Sequence, residues 1–105
     1  MRKLVLLLCI ACTLTQAYAW KPLFAGHRGS YRGVENTEEA MMNGINHYGY
    51  TGLEIDVKTT SDGEYVCWHD DDLNRVGHEG VSIPDSKWEK LKDFTLTQTR
   101  NGVTY

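Results

Sequence analysis

The order of local signals between residues 22 and 57 constrains the fold more than any other feature of the sequence. A short apolar run, residues 22–26, predicts a buried strand that opens into a glycine-rich loop. Asn36 and Glu39 then form a capping-box pattern at the start of a segment with helical apolar spacing. Residues 53–57 alternate apolar and acidic side chains, as strands do. Strand, helix and strand in this order predict a parallel βαβ unit.

The second predicted strand carries two acids on one face. Successive side chains of a strand point to opposite faces, so Leu53, Ile55 and Val57 share one face while Glu54 and Asp56 share the other. Two neighbouring carboxylates repel each other, and each raises the pKa of the other. Such a pair indicates that a cation or a proton lies between them.

The dipeptide Asp62–Gly63 lies between two strand-like runs and is the strongest hairpin signal in the chain. A tight two-residue turn would place Asp56 opposite His69 and Glu54 opposite Asp71, which brings a histidine onto the acidic face. A three-residue turn with a glycine bulge is the alternative, and it shifts the register by one residue.

The remaining segments have weaker signals. Residues 70–80 are polar and contain glycine, and they are expected to form a loop. Residues 83–94 predict a short amphipathic helix. Residues 95–105 are predicted to form a polar loop or a hairpin around Asn101–Gly102.

Residues 1–19 have the features of a secretory signal peptide. Two basic residues precede an apolar run, residues 4–14, and the small-x-small pattern Ala17-Tyr18-Ala19 follows. The apolar run is too short for a comfortable membrane span. We therefore expect export and cleavage near Trp20, a secreted or periplasmic product formed by residues 20–105, and no stable membrane anchor.

Composition excludes several classes of protein for residues 20–105. Removal of the signal leaves nine basic and fourteen acidic residues, a formal charge of −5, and the single thiol of Cys67. One thiol cannot form an intrachain disulfide, so the fold is not a disulfide scaffold. The acidic balance argues against nucleic acid or an anionic membrane surface as a partner.

Four short stretches carry chemically useful side chains near the predicted strand ends. They are His27-Arg28, Glu35-Asn36, Glu54-x-Asp56 and His69-Asp70. Two imidazoles can divide the roles of general base and general acid. Carboxylate oxygens suit Ca²⁺ or Mg²⁺, and a guanidinium suits phosphate. Together these groups indicate a site for a phosphoryl group.

These stretches, together with several flanking positions, resemble the N-terminal signature of the glycerophosphodiester phosphodiesterase family in order and spacing. The positions that carry the resemblance are His27-Arg28-Gly29, Glu35-Asn36-Thr37, Ala40, Gly44, Glu54-x-Asp56-Val57, Thr60-x-Asp62-Gly63 and His69-Asp70-x-x-Leu73-x-Arg75. An ordered set of this kind is far more specific than a single motif.

The resemblance implies an α/β fold and a function. The fold is a partial TIM-type (β/α) barrel, formed by the first βαβ unit, a β-hairpin and a short helix. The implied reaction is the metal-dependent hydrolysis of a small glycerophosphodiester to an alcohol and glycerol 3-phosphate. A closed barrel needs about 250 residues, so we expect residues 20–105 to be its truncated N-terminal part and the isolated product to be inactive.

The resemblance also implies a role for each site residue. His27 and His69 form the acid/base pair, and Arg28 stabilises phosphoryl charge. Glu54 and Asp56 bind the divalent cation, either Ca²⁺ or Mg²⁺. The supporting residues are Glu35, which orients Arg28 or His27, Asn36 at the substrate side, and Asp70, which supports His69.

Two other functions fit the same residues. One is a related barrel phospholipase, of the sphingomyelinase D or phosphatidylinositol-specific type. The other is a non-catalytic remnant that retains phosphate binding. The sequence specifies neither the head group nor the oligomeric state.

Overall fold

A computed structural model of the protein describes residues 22–105; the predicted signal peptide, residues 1–19, lies outside the described residues. The elements are β1 (Ala25–Gly26), α1 (Glu38–Asn46), β2 (Gly52–Leu53), β3 (Val57–Thr59), β4 (Tyr65–Cys67), β5 (Asp72–Leu73), a 3₁₀ helix (Asn74–Val76), β6 (His78–Ser82), α2 (Trp88–Leu91), β7 (Thr99–Arg100) and β8 (Val103–Thr104). In this part of the chain the strands pair two by two: β1 with β2, β3 with β4, β5 with β6, and β7 with β8.

The predicted βαβ unit is confirmed, but its second strand is shorter than the predicted residues 53–57, because it ends at Leu53 and leaves Glu54 and Asp56 in the segment between β2 and β3. Strand β1 pairs in parallel with β2, with Ala25 beside Gly52 and Gly26 beside Leu53, and α1 connects the two strands. Gly26 allows the loop after β1 to fold back closely, because a Cβ atom at this position would lie 2.0 Å from the carbonyl oxygen of Gly29. The chain therefore leaves β1 through a tight loop before it enters the helix.

Helix α1 is capped by Thr37, so the prediction of Asn36 as the cap was wrong. Thr37 Oγ1 accepts a hydrogen bond from the N–H of Ala40 (3.3 Å) and donates one to the carbonyl of Val34 (2.6 Å). Asn36 has a φ of 59°, in the left-handed region, and its side chain reaches Asp56 instead. Asn36, which the local pattern assigned to the cap, therefore binds a residue that is distant in sequence instead.

The β3–β4 hairpin is confirmed, but the two-residue register was wrong. Val57 pairs with Cys67 and Thr59 with Tyr65, so Asp56 does not lie opposite His69 in a ladder. The turn has three residues, and only its last, Gly63, has a positive φ (85°). A two-residue turn of type I′ requires a positive φ at both central positions and one of type II′ requires it at the first, so Asp62 and Gly63 form neither.

The hydroxyl of Thr60 stabilises the longer turn. Thr60 Oγ1 donates a hydrogen bond to Asp62 (2.7 Å) and accepts one from the N–H of Glu64 (3.0 Å). The carboxylate of Asp62 also accepts the N–H of Trp88 at the start of α2 (3.0 Å). The hydrogen bonds from Thr60 and Trp88 lower the pKa of Asp62.

Residues 70–80 are not the loop that we expected. They contain β5, the 3₁₀ helix and the start of β6, and β5 pairs antiparallel with β6 around an irregular register. Leu73 and Val76 are both buried in the core, and the indole N–H of Trp68 donates to the carbonyl of Asp72 (2.7 Å). Burial of these few apolar side chains outweighs the polar composition that suggested a loop.

The C-terminal predictions are confirmed with shorter elements. Helix α2 has four residues and buries Leu91. Strands β7 and β8 form a hairpin in which Asn101 and Gly102 both have positive φ angles, 51° and 78°, as the Asn-Gly pattern predicts.

The core of the described residues lies among the hairpins rather than around β1. Its buried apolar residues are Val34, Trp68, Leu73, Val76, Ile83 and Leu91. The expectation of a buried first strand was wrong, because Leu23 is 85% exposed and Phe24 is 59% exposed. No helix within residues 22–105 is long and apolar enough to cross a membrane.

Loss of the helix cap tests the fold of the βαβ unit. Replacement Thr37→Ala removes the oxygen that accepts the Ala40 N–H, and it should lower the free energy of unfolding by about 1 kcal/mol. Urea denaturation followed by tryptophan fluorescence measures the change. Thr37→Ser keeps the hydroxyl and should restore most of the stability, and Thr95→Ala is the matched exposed control. Equal stabilities for Thr37→Ala and Thr95→Ala would contradict the assignment of the cap.

Candidate active site

Arg28 is the residue on which three acids converge. Its backbone N–H donates to Glu54 Oε2 (3.0 Å), its Nη1 donates to Glu35 Oε1 (3.0 Å), and its Nε lies 3.2 Å from Asp56 Oδ2. The buried Nε is close enough to Asp56 for an ion pair. It makes no hydrogen bond within residues 22–105, because its N–H does not point at the Asp56 oxygen. The sequence brings these acids to one arginine from two loops.

The backbone of Arg28 has a conformation that is uncommon for a residue with a side chain. Its φ is 52°, in the left-handed region, and Gly29 follows with a φ of 91°. Such backbone strain costs on the order of 1–3 kcal/mol and is concentrated at functional sites. The compensating contact is the bond from the Arg28 N–H to Glu54.

Asn36 ties the loop before α1 to Asp56. The amide Nδ2 of Asn36 donates to Asp56 Oδ2 (3.0 Å), and its Oδ1 accepts the backbone N–H of Asp56 (3.0 Å). The backbone N–H of Asn36 donates to the carbonyl of Arg28 (3.0 Å). Asn36 thus positions the acid through its side chain and the arginine that faces it through its backbone.

Glu35 is a buried carboxylate with cations on two sides. Its side chain is only 5% exposed, and it accepts hydrogen bonds from Arg28, from Arg75 (2.7 and 3.3 Å) and from Gln98 Nε2 (3.1 Å). Burial raises the pKa of Glu35. The hydrogen bonds from Arg75 and Gln98 and the charges of Arg75 and Arg28 outweigh burial and lower the pKa to about 2. Glu35 therefore stays ionised and holds the two arginines together.

Asp70 connects Arg75 to His69. Asp70 Oδ2 accepts a hydrogen bond from Arg75 Nε (2.6 Å), and Asp70 Oδ1 lies 2.6 Å from His69 Nδ1. The hydrogen bonds from Arg75 and His69 lower the pKa of Asp70 to about 2. The same two acids, Glu35 and Asp70, raise the pKa of Arg75.

The two histidines lie at the exposed ends of this network. His27 Nε2 is 3.9 Å from Glu54 Oε2, and the side chains of His27 and His69 are 66% and 47% exposed. The structure thus links all eight predicted site residues through contacts of 3.9 Å or less: His27, Arg28, Glu35, Asn36, Glu54, Asp56, His69 and Asp70. Their individual roles stay predictions.

Sequence reasoning gave no role to two residues that complete the network. Arg75 belongs to the signature quoted above, so the motif contained it, but its bridge between Glu35 and Asp70 depends on the fold of residues 70–80. Gln98 is 63 residues from Glu35 in sequence and clamps it from both sides, because its Oε1 accepts the Glu35 N–H and its Nε2 donates to the carboxylate. No local pattern indicates such a distant partner.

Glu54 and Asp56 are suitable in type for a hard divalent cation. Each uses one carboxylate oxygen for contacts within residues 22–105, which leaves Glu54 Oε1 and Asp56 Oδ1 for another ligand. Magnesium is usually held by one or two carboxylates together with water and phosphate oxygens. The described residues contain no group of three or more His, Cys, Asp or Glu side chains that could hold a metal ion. These residues therefore supply only part of a coordination shell.

The two lowered pKa values predict a loss of stability in acid. The folded state holds Glu35 and Asp70 ionised down to about pH 2, whereas their ordinary pKa values are 4.5 and 3.8. The unfolded chain therefore binds more protons as the pH falls, so the stabilisation is present above about pH 4.5 and is lost towards pH 2. Urea midpoints measured from pH 7 to pH 2 should fall in this window.

A matched pair of variants assigns that loss to the network. Glu35→Gln should flatten the pH dependence below pH 4.5, because residue 35 then no longer titrates. Glu79→Gln replaces an exposed acid that has no ion pair within residues 22–105, and it should keep the parent slope. The same slope in both variants would contradict the ion pairing of Glu35.

The chain is similar to known proteins over most of the described residues. Residues 26–104 match the glycerophosphoryl diester phosphodiesterase family. The chain is 37% identical over 67 residues to a glycerophosphodiester phosphodiesterase of Bacillus altitudinis, covering 64% of this chain and 26% of that protein. It is 35% identical over 82 residues to one of Caldanaerobacter subterraneus subsp. tengcongensis, covering 76% of this chain and 30% of that protein.

A solved structure supports the same relationship. The crystal structure of the glycerophosphodiester phosphodiesterase of Thermotoga maritima matches with a TM-score of 0.62 and 39% identity, covering 70% of this chain and 33% of that one. This similarity confirms the predicted α/β fold as part of a TIM-type barrel. The chain spans between a quarter and a third of the length of these relatives. The extent of the family match establishes that this chain belongs to the glycerophosphoryl diester phosphodiesterase family.

Proposed function

We propose that this chain supplies the first part of the active site of an enzyme that hydrolyses glycerophosphodiesters to an alcohol and glycerol 3-phosphate. The observation that carries the proposal is the convergence of three carboxylates on Arg28, with an exposed histidine at each end of the connected network. Relatives with this activity in their names support the choice of substrate class.

The charge of the site favours a cation at Glu54 and Asp56. The network contains four carboxylates, those of Glu35, Glu54, Asp56 and Asp70, and two guanidiniums. With neutral histidines, two negative charges are left over. Both arginines contact Glu35, so the excess lies towards Glu54 and Asp56, in the segment between β2 and β3. A divalent cation held by Glu54 and Asp56 would balance this excess and stabilise negative charge on a phosphate.

The chain's own residues supply proton transfer and phosphate orientation. His27 and His69 are exposed, so a substrate hydroxyl and a leaving alcohol can reach them. One ring accepts the proton of the attacking substrate hydroxyl, and the other donates a proton to the leaving alcohol, which gives a cyclic phosphate. Water then opens the cyclic phosphate to glycerol 3-phosphate. Arg28 is held from three directions, so its charge faces the substrate in a fixed orientation with little reorganisation.

We expect the 105-residue chain alone to have little or no activity. Its two carboxylates provide only part of the shell that a divalent cation requires. A fusion with the remaining barrel of the Thermotoga maritima relative, in place of the matching third, should complete the site. The fusion should release choline from glycerophosphocholine when Ca²⁺ or Mg²⁺ is added, whereas the chain alone should not.

Histidine variants test the site within that fusion. His27→Ala should lower kcat roughly a hundredfold or more, because it removes one of the two proton-transfer groups. His47→Ala is the matched control, since His47 is an exposed residue at the end of α1 and contacts Arg32 rather than the site. A folded fusion without hydrolysis, or equal activity in the two variants, would contradict the proposal. Faster cleavage of sphingomyelin or phosphatidylinositol would indicate the related phospholipase instead.

We also propose that the protein is exported and cleaved after Ala19. Arg2 and Lys3, the apolar run of residues 4–14 and the Ala17-Tyr18-Ala19 pattern support this proposal. Mass spectrometry of the product from a secreting host should find a mature N-terminus near Trp20. Replacement Ala19→Arg blocks the small-residue position and should leave the precursor uncut, whereas Gln16→Ala, outside the pattern, should not. An intact N-terminus on exported parent protein would contradict cleavage at this site.

A further inference from the structure

Arg75 is the residue at which two parts of the site meet. It lies in the 3₁₀ helix, and its guanidinium contacts two acids at once. Nη1 and Nη2 bind the two oxygens of Glu35 (3.3 and 2.7 Å), while Nε binds Asp70 Oδ2 (2.6 Å). The planar fork of arginine suits this double contact, and the point charge of lysine does not.

Neighbouring residues hold Arg75 in place. Val76, the next residue, is fully buried in the core, and Gly77 ends the 3₁₀ helix with a φ of 93°. The guanidinium carbon of Arg75 also lies 5.3 Å from the ring centre of the buried Trp68. The position of Arg75 is therefore set by the core and not only by the acids that it binds.

The contact from Asp70 to His69 determines which ring nitrogen carries the proton. An ionised carboxylate only accepts hydrogen bonds, so the 2.6 Å contact requires a hydrogen on His69 Nδ1. In a neutral ring the other nitrogen, Nε2, then has a free lone pair. Asp70 keeps this arrangement only if its carboxylate is held in the plane that aims Oδ1 at the ring, and Arg75 holds the other oxygen.

We propose that Arg75 is a positioning residue that fixes, through Asp70, the Nδ1–H tautomer of His69 and so leaves Nε2 free to exchange protons with the substrate. This inference rests on the proposed function for its consequence in catalysis, but the tautomer itself is a property of the chain that can be measured without substrate. Through Glu35 the same guanidinium also braces Arg28, so one side chain aligns a histidine and the phosphate-facing arginine.

Nitrogen NMR of the histidine rings tests the proposal directly. In the ¹⁵N-labelled 105-residue chain at about pH 8, above the ordinary histidine pKa, His69 should show a protonated Nδ1 and an unprotonated Nε2. His69→Gln assigns the signals. Arg75→Met should shift His69 towards the Nε2–H form that an unrestrained histidine side chain favours in water. Arg32→Met, which removes an exposed arginine outside the network, should leave His69 unchanged.

Arg75→Lys keeps the inference testable where Arg75→Met fails to fold. Lysine retains the positive charge and most of the stem beside Trp68, but it cannot bind Glu35 and Asp70 together. His69 should therefore show a mixture of tautomers in this variant. A His69 spectrum identical to that of the parent in either folded Arg75 variant would overturn the inference.

Activity provides a second measurement in the barrel fusion. Arg75→Met should lower kcat roughly tenfold to a hundredfold with little change in KM, as loss of an outer partner of a site residue does. Arg32→Met should keep parent activity. An inactive parent fusion would refute the proposed function but not the inference about Arg75. The His69 tautomer, measured in the 105-residue chain, would still decide that inference. An active fusion whose kcat is the same with Arg75→Met would overturn the role in catalysis.

Discussion

The rest of the site depends on the ion pairs and hydrogen bonds of the ionised Glu35 carboxylate. A buried carboxylate is costly unless it is paired and hydrogen bonded, and Glu35 meets this requirement with two arginines and the amide of Gln98. Each partner comes from a different part of the chain. Glu35 therefore fixes the relative positions of the loop after β1, the 3₁₀ helix and the segment before β7. His27 lies in the first of these segments, and His69 is joined to the second through Asp70.

The C-terminal hairpin contributes to the site although it supplies no reacting group. Gln98 clamps Glu35, and two positions later Arg100 donates to the carbonyls of Ser30 (2.7 Å) and Gly33 (3.3 Å). These bonds hold the glycine-rich loop that follows the first strand. A short polar hairpin thus restrains the loop that follows Arg28.

Local patterns predicted the βαβ unit and two of the hairpins, but not the contacts that join the eight candidate site residues. The βαβ unit and the glycine turns depend on nearby residues, so the sequence was sufficient for them. The hairpin register depended on the Thr60 hydroxyl, and the choice of Thr37 as the cap depended on the competing bond from Asn36 to Asp56. Gln98 acts over 63 residues, beyond the reach of any periodicity.

Charges alternate in sign along the path that joins the two histidines. From His27 the path runs through Glu54, Arg28, Glu35, Arg75 and Asp70 to His69, and each interior residue contacts a neighbour of opposite charge or character on both sides. Adjacent pairs stabilise one another, so removal of one interior charge leaves two partners unsatisfied rather than one. Asp56 branches from this path at Arg28, because its Oδ2 faces the guanidinium while its Oδ1 is left for a cation, so the arginine and the cation would share one carboxylate. The ion-pair network and the proposed cation site are therefore coupled through Arg28.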